Sequence, residues 1–268
     1  MRIAIISDIH ANTTALNTVL EDIDKQKCDH IVCLGDIVGY GYDPDGCIEI
    51  CKQRNMMCIL GNHDAGMAGK LGLGWFTTYA AKALLRQQEN VSEPNKSWLK
   101  QLPYNYIAGI EEPYRRAYAH GTFVRRPLIQ TPSRVFFDYV LSPSDALSQY
   151  NCMIANNIAV LFIGHTHFAF AYLWDASANM FEQYLDVHDV CTIDCLKYSA
   201  SIINVGSVGY PRTQPYSIYG IFDTESKSFQ YRVLPFDFDD YIANMEKAKA
   251  PIPRWLPERQ KEAAAKPL

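Results

Sequence analysis

Three apolar runs in the first quarter of the chain end in residues that can bind a metal and move a proton. Ile3-Ala4-Ile5-Ile6-Ser7 leads to Asp8-Ile9-His10, and Ile31-Val32-Cys33-Leu34 leads to Gly35-Asp36. Met56-Met57-Cys58-Ile59-Leu60 leads to Gly61-Asn62-His63-Asp64. Two more motifs follow, His120-Gly121 and Gly164-His165-Thr166-His167. Five of the seven histidines fall in these motifs, which a random scatter would rarely achieve; His30 and His188 lie outside them.

Each motif alone has an ordinary reading. Gly-Asp is common turn chemistry, an Asp after a strand is often a cap, and a single histidine is more often a hydrogen-bonded core residue. In an extended chain, residues two apart point the same way. Asp8 and His10 can therefore converge on one ion, and Gly164-His165-Thr166-His167 offers two imidazoles two residues apart. Taken together and in this order the motifs are a strong signal. Carboxylates, imidazoles and one neutral amide suit divalent ions of intermediate hardness such as manganese, iron or zinc; calcium would prefer oxygen alone. One carboxylate can bridge two ions, and two ions about 3.5–4 Å apart can activate a water and neutralise a phosphoryl group.

These residues need a frame. Residues 2–7, 30–34 and 56–60 read as buried strands. A helix from Thr13 to about Lys25 is expected from Leu16, Val19, Leu20 and Ile23, with Asn12 or Thr13 as cap. A second helix is expected to run to about Arg54, after a loop rich in Gly, Pro and Asp at 39–45. This β-α-β-α-β opening implies a parallel sheet, and in such sheets ligands gather beyond the carboxyl ends of the strands. Residues 103–119 read as two strands, and Ile158–Ile163 as another. From 168 to about 234 the pattern is rich in strands. Residues 66–102 and 122–157 read as cap-like insertions, with Trp75, Phe76 and Tyr79 expected to overhang the cleft and set substrate size. A helix is expected after Asp237, then a loosely held tail at about 250–268. We read the whole chain, 1–268, as one domain.

The 268 residues and 48% hydrophobic content suffice for a full core without disulfide staples. A net charge of -4 implies no broad electropositive footprint, so long nucleic acid is not an expected partner, and Arg125-Arg126 reads as an exposed pair. No run approaches the roughly 20 apolar residues of a membrane span, and nothing resembles a signal peptide. The eight cysteines include no Cys-x-x-Cys pair and read as reduced, packed thiols. The cytoplasm is the expected compartment.

The motif order resembles the calcineurin-like metallophosphoesterase superfamily, from residue 3 to about 222. Gly35-Asp36-Ile37-Val38-Gly39-Tyr40-Gly41 and Asn204-Val205-Gly206-Ser207-Val208-Gly209-Tyr210-Pro211-Arg212 resemble its small prokaryotic branch of phosphoesterases. The resemblance implies a four-layer α/β-β/α sandwich of two mixed sheets flanked by helices. It implies one metal site of Asp8, His10, Asp36 and His167. A second would hold Asp36, Asn62, His120 and His165, with Asp36 bridging. His63 would face the substrate, with Asp64 a candidate to orient it. Asn62 and Arg212 are candidate substrate contacts. Manganese is the first choice of metal, with iron, zinc or nickel as alternatives. Two departures alter loop stiffness: Val205 and Tyr42 stand where this branch commonly has Pro. The loop after Gly35-Asp36 also lacks the phosphate-gripping Arg of the protein phosphatase branch.

The implied activity is hydrolysis of a phosphate ester by a metal-bridging hydroxide. A phosphodiester is favoured, on a small phosphorylated substrate that includes nucleotides among the candidates. The alternatives are a phosphomonoesterase (a protein phosphatase or dinucleotide polyphosphate hydrolase) and a non-catalytic metal-binding scaffold. The natural substrate and the oligomeric state are left open.

Overall fold

The structure, a computed structural model, describes residues 1–112, 114–124, 133–184, 187, 189–212, 216–253 and 256. Arg125-Arg126, His188 and residues 257–268 of the expected tail lie outside them.

Strand β1 (Arg2–Ile6) shows why the architecture has four layers. Its side chains alternate between two separate cores. Ile3 and Ile5 enter one core; Ala4 and Ile6 enter another. A strand buried on both faces reads as an unbroken apolar run, because neither face tolerates a polar residue. β1 lies at the middle of a six-stranded sheet with β2 (His30–Cys33), β3 (Met57–Cys58), β9 (Thr192–Asp194), β11 (Tyr216–Asp223) and β12 (Ser228–Pro235), in the order β3-β2-β1-β11-β12-β9. β1, β2 and β3 are mutually parallel, and β11 returns antiparallel to β1.

The second sheet holds β4 (Asn105–Ala108), β5 (Arg115–Ala119), β6 (Ile158–Ile163), β7 (Ala169–Asp175), β8 (Met180–Tyr184) and β10 (Ala200–Val205). Its order is β4-β5-β6-β10-β7-β8, with β5, β6 and β10 parallel. The two sheets meet face to face. Phe162, Ile203 and Val205 of one share a core with Ile5, Val32 and Phe222 of the other.

Helices cover the outer faces. α1 (Thr13–Lys25), α2 (Pro44–Gln53), α3 (Asn62–Met67), α4 (Thr78–Gln88), α5 (Glu93–Gln101) and α7 (Phe238–Lys247) lie with the first sheet. α6 (Pro143–Ile154) covers the second, burying Ala146 and Met153 against Leu161 and Ile202. α1 buries Leu16, Val19, Leu20 and Ile23. Its cap is Asn12, whose Oδ1 accepts from the Ala15 N–H at 3.0 Å. The fold is the expected pair of mixed sheets flanked by helices, seven of them among the described residues.

Three expectations change. The cap is narrower than 66–102 and 122–157: Leu84, Val91 and Leu99 belong to the helix-side core of the first sheet, and α6 is an outer-layer helix. Apolar spacing shows that a helix has a buried face, but not which layer that face meets. The third strand shrinks to Met57–Cys58, which pair with β2 at the sheet edge. The expected tail is fastened where it begins: Ala250 and Leu256 are buried, and the Pro251 carbonyl accepts from the Tyr79 hydroxyl. All eight cysteines are free thiols. Among the described residues no helix is long and apolar enough to cross a membrane.

Candidate metal centre

The five motifs leave the carboxyl ends of β1, β2, β3, β5 and β6, three parallel strands from one sheet and two from the other. The loop after β10, a third parallel strand of the second sheet, closes over them. Backbone bonds tie these loops together within each sheet and across the two. The Asp8 N–H donates to the Gly35 carbonyl at 3.0 Å, and the Gly164 N–H to the His120 carbonyl at 2.9 Å. From the last loop, the Val208 and Gly209 N–H groups donate to the carbonyls of Ser7 and Asp8, each at 3.0 Å.

Turning five side chains inward requires unusual backbone. Asp8, His10, Asp36, His165 and His167 all adopt positive φ, from 49° to 67°. L-residues rarely occupy this left-handed region, and its strain clusters at functional sites. Gly164 makes room beside them: a Cβ there would overlap Ser7 Oγ and lie 2.7 Å from Asp8 Oδ2.

The side chains gather in two groups that share Asp36. Ligand atoms of Asp8, His10, Asp36 and His167 lie within 4.8 Å of one another, and so do those of Asp36, His120 and His165. Asn62 joins the second group, with Oδ1 3.1 Å from His120 Nε2. Three imidazoles have the other nitrogen committed. Nδ1 of His10 donates to the Val38 carbonyl at 3.1 Å, that of His120 to Leu34 at 2.9 Å, and that of His167 to Tyr210 at 2.7 Å. Such bonds orient the ring and turn Nε2 inward, as in metal sites.

The residues fit divalent ions. The Nε2 atoms of His10 and His167 are 3.1 Å apart, and His167 Nε2 is 3.3 Å from Asp8 Oδ1. That carboxylate oxygen is buried without a hydrogen-bond partner, an arrangement that a cation resolves. Burial raises Asp8 to about 7, with repulsion from Asp36 adding to it and attraction to His120 partly offsetting. Burial also opposes charge on His120, but Asp36 at 3.3 Å, with Asp8 and Asp64, lifts the imidazole to about 9. Desolvation of Asp36 is likewise overcome, by His120 and His63, so its carboxyl stays well below the usual range. Asp36 and His120 thus form a buried ion pair.

His63 stands beside this cluster. Asn62 and His63 open α3, so Gly61-Asn62-His63-Asp64 is a helix start rather than an isolated turn. The backbone N–H of His63 donates to Asp36 Oδ1 at 2.8 Å. Its ring lies 4.9 Å from that of His10, 4.6 Å from Tyr40 and 5.1 Å from Phe76. Burial lowers it to about 4, and Nδ1 has no hydrogen-bond partner.

Asp64 is engaged elsewhere than His63. Its Oδ1 accepts from the N–H groups of Ile37 and Val38 at 3.0 and 3.2 Å, and its Oδ2 from Gly61 at 3.0 Å. It braces the loops after β2 and β3 against each other. Half-buried Arg212 borders the same pocket as Asp36, Asn62 and His63.

This pocket encloses about 130 Å³ and is walled by Tyr40, Trp75, Phe76 and Tyr139. Of the three aromatics expected to set substrate size, Trp75 and Phe76 reach it. Tyr79 does not; it stacks behind Tyr40 at 5.8 Å and lines a separate cavity with Lys82 and Pro253. The motif reading missed Gly39, Tyr40 and Tyr139. The motifs display ligands; they carry no signal for a wall assembled from distant loops. Tyr40 is held by Tyr210, stacked at 4.1 Å and 11°.

Comparison with known proteins agrees with this geometry. Residues 1–227 match the model of the calcineurin-like phosphoesterase superfamily domain. An uncharacterized protein of Methanocaldococcus jannaschii is 35% identical over 260 residues, 96% of each chain. A crystal structure of a metallophosphoesterase from Sphaerobacter thermophilus superposes with a TM-score of 0.76 at 28% identity, covering 97% of this chain and 99% of that one. A hypothetical protein of Pyrococcus horikoshii shares the fold, with a TM-score of 0.68 at 18% identity over 93% and 94% of the two chains. The chain belongs to the calcineurin-like phosphoesterase superfamily.

Proposed function

We propose that this calcineurin-like phosphoesterase hydrolyses a small phosphate ester with two divalent ions, manganese being the first choice, and that phosphodiesters are favoured. The observation that carries the reading is the pair of buried ligand groups sharing Asp36. Asp8, His10, Asp36 and His167 would hold one ion; Asp36, Asn62, His120 and His165 would hold the other. Bound there, the ions would supply Lewis acidity that lowers the pKa of water and neutralises phosphoryl charge.

The chain's own residues do the rest. Arg212 supplies a cation at the pocket for a phosphate oxygen. His63 is neutral in the buried pocket, and an arriving phosphate anion favours its protonated form. Protonated, it can release a proton to the departing ester oxygen. Asp64 acts at one remove, by holding the loops that carry Asp36 and Asn62.

A complete ligand set with His63 in place favours an enzyme over a metal-binding scaffold. Ile37-Val38-Gly39-Tyr40-Gly41, which carries no arginine, favours a diesterase over the protein phosphatase type of monoesterase. The free thiols suit a reducing compartment such as the cytoplasm. The test is turnover of chromogenic diesters and monoesters by metal-stripped protein titrated with manganese. Diester turnover that saturates near two ions per chain is expected. No turnover of either ester at full metal occupancy would sink the reading, and faster monoester turnover would transfer it to the phosphomonoesterase class.

A further inference from the structure

The metal pocket does not end at its aromatic wall. Beyond Trp75 and Tyr139 lies a groove of about 370 Å³, within the range of about 300–1,000 Å³ typical of small-ligand sites. Asn62, Trp75, Tyr139 and His165 border both spaces, so pocket and groove are continuous. A phosphate ester with its phosphorus at the metal pocket can direct one substituent into the groove.

The lining describes that substituent. Trp75 is 61% exposed and Tyr139 46%, an unusual display of two large aromatic surfaces at the mouth of a polar centre. Tyr139 is fixed in place by stacking on the His165 ring at 4.1 Å and 15°. Leu71 and Val135 extend the apolar surface, and Asp138 adds a carboxylate. No lysine or arginine is among the described lining residues. Aromatic faces with an acceptor suit an uncharged planar ring bearing N–H donors, and the carboxylate disfavours a second phosphate.

We infer that Trp75 and Tyr139 are specificity-determining residues that seat a nucleobase, making the substrate a nucleoside phosphate ester. The inference rests on the reading that phosphate binds at the metal pocket.

The test is equilibrium binding, by calorimetry on metal-loaded protein, of two phosphonates that cannot be hydrolysed. One is the 5'-methylenephosphonate analogue of adenosine monophosphate; the other, ethylphosphonate, has the same head and no base. The wild type is expected to prefer the nucleoside about tenfold or more, as base–aromatic stacking allows. Trp75→Ala and Tyr139→Ala should each remove most of that preference, and Trp75→Phe and Tyr139→Phe should keep most of it. The phosphonate without a base separates stacking on a base from mere support of His165, because loss of that support would weaken both ligands alike. Equal affinity of the wild type for both phosphonates, or a preference that survives both alanines, overturns the inference. Turnover is measured in parallel. A base preference carried by these residues without hydrolysis of any ester would uphold the groove and defeat the phosphoesterase reading; hydrolysis without the preference would do the reverse.

Discussion

Gly39 lies directly against the imidazole of His63. A methyl group on Gly39 would overlap His63 Nδ1 and come within 2.7 Å of Cγ, and its φ of +92° is one that glycine alone adopts readily. The loop after β2 thus sets the position of a residue delivered by β3. Gly39→Ala is expected to retain both metals and lose activity on the order of 10²-fold, within the range for a displaced proton donor. Metal analysis and turnover on one preparation check this. Activity within a few-fold of wild type would mean that the His63 position is not set by this contact.

Asp36 belongs to both ligand groups. Asp36→Asn is therefore expected to lower metal content at both sites rather than one, and to abolish the gain in Tm that ligand binding brings. Elemental analysis with thermal melts decides. A variant that still binds one ion at wild-type affinity would show that Asp36 does not bridge.

Metal binding should expel protons. Burial raises Asp8 to about 7, and neighbouring carboxylates, Asp36 foremost, raise His120 to about 9, so both hold protons below those values unless a cation displaces them. A ligand must shed its proton to bind a cation. Affinity is therefore expected to climb with pH through the window from about 7 to about 9 and to level off above it. Calorimetry in buffers of different ionisation enthalpy measures the release. Metal affinity independent of pH across this window would contradict the buried Asp36–His120 ion pair.

Asp64→Asn tests the brace. The amide oxygen can keep the bonds from Ile37 and Val38, but its NH2 group then faces the Gly61 N–H, donor against donor. Leaving such a buried donor unpaired costs about 1–3 kcal/mol. Chemical denaturation of the metal-free variant should show a loss of this size. Wild-type stability would mean that the loops do not depend on this carboxylate.

The clustering of these carboxylates and imidazoles was legible because most of them follow a short apolar run, and a strand end in an α/β sheet is where ligands collect. Gly39 looked like a loop residue, because its constraint comes from His63, 24 positions away in sequence and in contact only after folding. Tyr139 was illegible for the same reason: its partner His165 arrives on a different element. Asp64 read as a candidate to orient His63, and its contacts were illegible because they lie with backbone N–H groups of two loops that meet only after folding.

The most direct measurement is on His63→Ala: metal content, and the rates for two phosphodiesters, one losing nitrophenolate and one losing an alkoxide. Nitrophenolate departs readily without a proton; an alkoxide does not. The expected result is full metal occupancy, with the alkyl ester slowed on the order of 10²–10⁴-fold and the nitrophenyl ester much less. Equal losses would make His63 a phosphate clamp rather than a proton donor. Full occupancy with undiminished turnover of the alkyl ester would contradict any catalytic role for it.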